Sequence, residues 1–517
     1  MPSERAAAYV TDVPYVRQFC AELNPSLLRA VAALSGCPPP PGDAFDFCEV
    51  GAGLGDTLAT LAAAYPRGRF VGVDVNPVHV ASARGLAARG ELANVRFLER
   101  DFEDLRDGEL PPLDYLCAHG LLTWIAPAKR RALFAMAAAR LKPGGLFYVS
   151  YNALPGWAAV EPLRRFMLDA AAGIEGDSET RVRHALAAAQ ALRDARAEYF
   201  VANPSASEIL ATMLEMGVPY VAHEFFGPYW EPLHFADVAA EATEHDLRFV
   251  GQVPLHLNYR NLAVAPGLDE ALRSITDRRA LERVNGFAKN EFFRRDVYVK
   301  GAVSRPEDTT RAYLDTTLFG TLVPADDVKR DCVLPSGSLA FAGPLFEALI
   351  AAIAARGATI RELARAPSLE FFGDQAIRHA VLQLAMGKDV IPMTLRSRGA
   401  EAPGSRYRVP SAFNRAVLAQ PLSPRHKVVL ASPVAGTGVG LSMLHVVALR
   451  ALTEPPPDQR DAWLLAFVGA NPLRLVDHGD SVVDKDDVAR LLKTHVDSFR
   501  ATRLPKLVEL GVVDAEK

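Results

Sequence analysis

The sequence predicts an α/β fold. It consists of an open, mostly parallel sheet with helices on both faces, a helical insertion within that sheet domain, and mainly α C-terminal domains. Three observations predict it. In the first third, short apolar or β-branched runs alternate with Ala/Leu-rich stretches of about ten residues, the pattern of β-α-β units. From about Ala159 to Met216 the chain turns helical and Ala/Arg/Glu-rich, with few β-branched residues. From Pro306 onward a second composition begins, with three helical stretches and only short strand-like runs.

The elements follow in order. Phe45–Val50 reads as a strand running into glycines, and Thr57–Tyr65 as a helix. Arg69–Val73 is a strand ending at Asp74, Pro77–Arg89 a helix, and Val95–Leu98 a strand ending at Asp101. Asp114–Ala118 is the fourth strand. Pro127–Leu141 is a helix opened by proline and closed by Lys142-Pro143-Gly144-Gly145, and Leu146–Tyr151 the fifth strand. After the insertion, Phe235–His245 reads as a crossover helix, and Leu247–Val253 and Asn261–Ala265 as the two closing strands. Farther on, Pro344–Arg356, Ile360–Ala364 and Asp374–Met386 read as helices, and Val390–Met393 and Arg406–Val409 as the strands of a wing. Gly436–Gly440 reads as an ordinary turn, Leu441–Leu452 as a helix, and the tail after Asp484 as helical. The expected division is 1–158 for the first part of the sheet domain, 159–219 for the insertion and 220–303 for the closing part. Residues 304–425 form a middle domain and 426–517 a C-terminal one.

Composition narrows the function. The 517 residues suit two to four domains, and 50% hydrophobic with 23% charged residues is globular. A net charge of -4 supplies no global basic field for nucleic acid or an anionic membrane. No apolar run follows the first residues, and Leu345–Ala355 is far short of the roughly 20 residues a membrane helix needs. Cys20, Cys37, Cys48, Cys117 and Cys332 contain no C-x-x-C pair, and no histidine pair completes a zinc pattern. The simplest expectation is a reduced, cytoplasmic, metal-free protein.

One motif carries chemistry. Glu49-Val50-Gly51-Ala52-Gly53-Leu54-Gly55 closes the first strand and opens the first helix, a glycine turn that lets a ligand approach backbone N–H groups. The glycines alone also fit a nicotinamide dinucleotide site or a structural turn. Three companions sharpen the reading. Glu49 suits an ammonium group or positions the loop. Asp74, followed by Val75 and Asn76, suits both ribose hydroxyls. Asp101-Phe102 offers an acceptor for an exocyclic amine and an apolar face for a purine. Together they describe an adenosyl group with an amino-acid tail and no pyrophosphate, which is S-adenosylmethionine.

On these residues, 45–151 resembles a class I S-adenosylmethionine-dependent methyltransferase, a Rossmann-like seven-stranded sheet. Glu49–Gly55 matches its glycine motif, Asp74 its ribose acid, Asp101 its adenine contact and Leu141–Gly145 its late turn. A narrower resemblance covers nearly the whole chain. It rests on Tyr9-Val10-Thr11-Asp12-Val13-Pro14-Tyr15, His119-Gly120, Trp124, Ser150–Trp157 (SYNALPGW), Ala222-His223-Glu224, Phe293–Val297 and Ala431-Ser432-Pro433. These stretches resemble bacterial methyltransferases with a methyltransferase regulatory domain, a group that includes rickettsial outer-membrane-protein lysine methyltransferases. The resemblance implies a dimerising helical insertion, a middle domain and a winged-helix-like C-terminal domain. It also implies a homodimer and a protein lysine as acceptor, on a surface or outer-membrane protein before export. Tyr9, Thr11, His119 and Gly120 join the expected cofactor contacts.

Ligands of open α/β sheets lie beyond the carboxyl ends of the strands. His119-Gly120 and Trp124 follow the fourth strand, Tyr151-Asn152 end the fifth, and a loop before the crossover helix brings His223, Glu224, Tyr229 and Trp230. Trp124, Tyr151, Asn152, His223 and Glu224 are the expected catalytic set. An aromatic-walled pocket desolvates a lysine, Tyr151, Asn152 and Glu224 orient it, and Glu224 or His223 takes its proton. The plain alternatives are a strand-capping His119, a core Trp124 and a loop salt bridge at His223-Glu224. A small-molecule N- or O-methyltransferase and a cofactor-binding regulator without turnover remain alternatives. Nucleic acid is disfavoured, because Asp374–Met386 offers only Arg378 and His379 to a groove.

Overall fold

The computed structural model describes residues 12–13, 15–106, 108–301, 306–398, 406–422, 427–471, 475–477, 480–482 and 484–516. The strands of the main sheet are β1 (Asp46–Val50), β2 (Arg69–Asp74), β3 (Val95–Glu99), β4 (Leu113–Ala118), β5 (Leu141–Asn152), β6 (Leu247–Gln252) and β7 (Phe293–Lys300). Their order is β3-β2-β1-β4-β5-β7-β6. β1 to β5 run parallel, while β7 is antiparallel to both β5 and β6. Every residue of β1 and β4 is buried, as in a sheet covered on both faces.

The first ten helices are α1 (Pro25–Leu34), α2 (Asp56–Ala64), α3 (Pro77–Arg89), α4 (Pro127–Arg140), α5 (Glu161–Ala171), α6 (Ser178–Asp194), α7 (Glu198–Ala202), α8 (Pro204–Met216), α9 (Val218–Phe225) and α10 (Phe235–Glu244). Alternation along the strands sorts them onto two faces. Phe47, Tyr115 and Tyr148 pack with Leu28 of α1, Leu58 of α2 and Val80 of α3. Cys48, Leu116, Phe147 and Tyr151 pack with Phe134 of α4 and Val238 of α10.

Four findings bear on the expectations. Asn261–Ala265 is not a strand: Arg260–Ala263 is a helical turn, and the closing strand is β7, reached through a helix at Arg278–Ala288. Charges concealed β7. Arg294 is fully buried and pairs with Asp296, Glu291 and Glu282 at 2.9, 2.8 and 3.1 Å, so its charge is balanced inside. Second, the insertion has its own core. Met167, Val182, Leu186, Leu210 and Met213 pack together with Trp157 and Phe225. Its helices therefore cover one another. Third, His223 and Glu224 lie on α9, not on a loop. Fourth, the two expected wing strands do not pair. Val390–Pro392 and Ala358–Thr359 flank Leu318–Thr321, whereas Arg406–Arg408 pairs with Asp514–Glu516.

The C-terminal half packs directly onto the sheet domain. Tyr313, Ile353, Ile377 and Leu384 belong to the same core as α1 to α3. Val428–Ser432 and Thr437–Leu441 form a hairpin against α2. A Cβ at Gly436 would stand 2.8 Å from the Tyr65 hydroxyl, and one at Gly438 would stand 3.0 Å from the Phe19 ring.

Candidate cofactor and acceptor site

Beyond β1 the backbone turns through φ values of +77° at Gly51, +53° at Gly53 and +79° at Gly55, a region open to glycine at little cost. The glycines serve different ends. A Cβ at Gly55 would lie 2.6 Å from Ala83 Cβ, so close packing of α2 on α3 requires glycine. A Cβ at Gly53 would meet nothing within 4 Å, so the turn forms an open cradle. Asp74 shapes that cradle: its carboxylate accepts from Gly53 N and Asn76 N, each at 2.8 Å. Each carboxylate oxygen has further acceptor capacity, so ribose hydroxyls can share it. Val75 stands 47% exposed beside it. Asn76, expected among the ligand contacts, caps α3 by accepting from Val78 N at 2.9 Å.

Glu49 is buried at the end of β1, and its Oε2 has no hydrogen-bond partner. Burial, then the charge of Asp74, pushes its carboxyl up to about 8. An orphaned buried acceptor is costly unless a donor arrives. The ammonium of an amino-acid tail is such a donor, so the residues present fit S-adenosylmethionine.

Asp101 sits at the end of β3, already paired with the Lys129 ammonium and capping Glu103 N at 3.3 Å. Phe102 is buried beside it under the same ammonium. His119 Nδ1 lies 2.9 Å from the Tyr148 hydroxyl and 3.2 Å from Ser150 Oγ, which also accepts from Gly120 N. Burial pushes the imidazole down to about 4, so it is neutral at pH 7. Tyr9 and Thr11 lie outside the described residues.

On the acceptor side, Trp124, His223 and Glu224 converge. The Trp124 indole donates to the Glu224 carbonyl at 2.9 Å, and His223 Nε2 donates to the Val13 carbonyl at 2.7 Å. Burial holds the Glu224 carboxyl up at about 7, partly offset by the Tyr15 hydroxyl, which donates to Oε1 at 2.5 Å. In the sequence Tyr15 stands only as the end of the Tyr9–Tyr15 stretch that carries the resemblance; its contact with Glu224 joins residues 209 apart. Asn152 contributes through its backbone, its N–H donating to Thr123 Oγ1 at 2.9 Å and so fixing the turn that carries Trp124.

Tyr151 does not join them. It is 0% exposed and its hydroxyl donates to Asp296 at 2.6 Å inside the Arg294 network. Successive strand residues point to opposite faces, and Tyr151 points to the α4/α10 core. Trp230 turns toward the insertion, 5.3 Å from Trp157 and beneath Arg164, while Tyr229 is 48% exposed. Among the described residues, no three His, Cys, Asp or Glu side chains gather as a metal site. No helix among them is long and apolar enough to cross a membrane.

The seven-stranded sheet, its glycine cradle and the acids at its strand ends define a class I S-adenosylmethionine-dependent methyltransferase, and this chain is one. Residues 47–145 match a methyltransferase domain, and residues 218–300 match a predicted methyltransferase regulatory domain. Its relatives include an uncharacterised protein of Synechocystis, 29% identical over 511 residues that cover 98% of this chain and 99% of that one. An uncharacterised Rickettsia prowazekii protein is 26% identical over 291 residues, covering 55% of this chain and 51% of that one. Among solved structures, PKMT2 from Rickettsia typhi in complex with AdoHcy shares the fold with a TM-score of 0.70. It is 17% identical, with 94% of this chain and 99% of that chain covered.

Proposed function

We propose that the protein methylates the side-chain amine of lysine in a protein substrate, with the acceptor entering between Trp124 and Glu224. The observation that carries this reading is the Glu224 carboxyl, bound by the Tyr15 hydroxyl and held up at about 7 by burial, on a residue whose backbone carbonyl takes the Trp124 indole N–H. A lysine reaches the reaction as an ammonium and must shed a proton before its nitrogen can attack. A carboxylate with a pKa near the working pH is suited to accept that proton. When bound, S-adenosylmethionine supplies an electrophilic methyl group whose sulfur leaves with the bonding electrons. The chain's own residues do the rest. Glu49 and Asp74 fix the amino-acid tail and the ribose, Trp124 walls the acceptor and attracts cations, and Glu224 holds the amine and takes its proton.

The full-length likeness to PKMT2, together with the motifs resembling rickettsial protein-lysine methyltransferases, supports a polypeptide acceptor. The large helical and C-terminal parts suit gripping a polypeptide better than enclosing a metabolite. The test is Glu224→Gln. It should bind AdoHcy like the wild type and lose methyl transfer to lysine by about 10²–10⁴-fold. Transfer at the wild-type rate would refute the role of Glu224.

A further inference from the structure

A short N-terminal stretch bridges the two halves of the site. The Val13 carbonyl accepts from His223, and the Tyr15 ring meets His223 edge-on with 5.1 Å between centroids. The Tyr15 hydroxyl donates to Glu224. Two residues on, Arg17 donates to Asp56 Oδ1 at 2.7 Å and to Ser82 Oγ at 3.0 Å. Asp56 directly follows Gly55 and opens α2. Within three residues the chain passes from the acceptor carboxylate to the cofactor loop.

We propose that Tyr15 is a positioning residue for methyl transfer, holding the Glu224 carboxylate in its ionised form, and that Arg17 ties this hold to the cofactor loop. The proposal rests on the reading of Glu224 as proton acceptor. Among the described residues, Tyr15 is the one hydrogen-bond donor to the Glu224 side chain. The other polar groups around it are engaged elsewhere. Trp124 and Arg164 donate to the backbone carbonyls of Glu224 and Phe225, and His223 donates to Val13. Tyr220, on the same helix, is itself pushed well up by burial and by the charge of Glu224, so it stays neutral. A phenol O–H bonds a carboxylate more strongly than a carboxylic acid, and so opposes the effect of burial. Without it, burial acts alone and Glu224 ionises only at higher pH.

The test is Tyr15→Phe, with kcat/KM measured against pH on an unfolded, lysine-bearing outer-membrane protein and AdoHcy affinity measured by calorimetry. The acid limb should move up by about one to two pH units, with roughly tenfold or greater loss at pH 7. The ratio to wild type should climb back as pH rises, with AdoHcy affinity within about twofold of wild type. A loss of equal size at every pH, an unmoved limb, or a matching loss of AdoHcy binding would overturn the proposal. Arg17→Ala should shift the limb the same way and weaken AdoHcy binding; if both stay unchanged, the tie to the cofactor loop is wrong. Glu224→Gln separates the two readings. If it abolishes the acid limb while Tyr15→Phe leaves the limb in place, only the role of Tyr15 fails. If it leaves rate and limb intact, the reading of Glu224 fails first.

Discussion

Glu49 is the single side chain on which the proposed cofactor site is most open to test. An unpartnered carboxyl in a sheet interior holds its proton up to about pH 8, whereas in the unfolded chain it ionises near its ordinary value of 4.5. The folded protein therefore binds more protons between those values. Its stability is fully present below the lower one and is lost as pH rises through the upper one. Glu224 acts in the same direction up to about 7. The thermal midpoint of the ligand-free protein should fall between about pH 5 and pH 8, and less steeply in Glu49→Gln. In the proposed site the ligand ammonium would pair with the ionised form, so stabilisation by AdoHcy should grow from pH 6 to pH 8.5, and that growth should vanish in Glu49→Gln. A stabilisation independent of pH would show that Glu49 does not meet the tail. Tyr151 teaches the opposite. Tyr151→Phe removes a buried donor from Asp296 and should cost about 1–3 kcal/mol in denaturant unfolding while leaving turnover intact at 25 °C. A folded variant without turnover would return Tyr151 to the acceptor site. The placing of Glu49, Gly53 and Asp74 at strand ends was legible in the sequence because a glycine turn after an apolar run and an acid after a β-branched run mark where strands stop. Tyr151 was not, because its direction depends on β7, which its own charged residues concealed.

At the level of elements, the strand-to-helix turn after β1 separates cofactor binding from packing. Both Gly53 and Gly55 have positive φ, but only Gly55 is crowded, with Ala83 and Phe97 within 3.0 Å of its Cβ position. Gly53→Ala should cost about 1–2 kcal/mol of stability, the strain of a left-handed residue, and lose AdoHcy affinity because the methyl group enters the cradle. Gly55→Ala should be the more destabilising of the two, since α3 or Phe97 must also move. Denaturant unfolding and calorimetry distinguish them, and equal stability losses would contradict the packing argument. The Ala/Leu-rich run made α2 legible, and proline starts marked α3 and α4. The last strand of the sheet was missed by some thirty residues, because Asn261–Ala265 has the apolar composition of a strand and β7 has arginine and aspartate at buried positions.

At the scale of the whole molecule, the parts expected as separate domains share their packing. One core runs from α1 to the helix Asp374–Met386, and the hairpin at Val428–Leu441 rests on α2 close to the N-terminal stretch that carries Arg17 and Phe19. Composition marked where the chain changes character, yet it could not show that these surfaces adhere, because contacts across hundreds of residues leave no local period. The molecule thus sets the glycine cradle, the Glu224 carboxyl and the helical and C-terminal parts, proposed above to grip a polypeptide, in one body. Incubating the full chain with labelled S-adenosylmethionine and an unfolded, lysine-bearing outer-membrane protein, then locating the mark by mass spectrometry, tests the central claim most directly. Methyl groups on lysine side chains, lost in Glu224→Gln, are the predicted result. Label on glutamate, arginine, nucleic acid or a metabolite, with none on lysine, would contradict it.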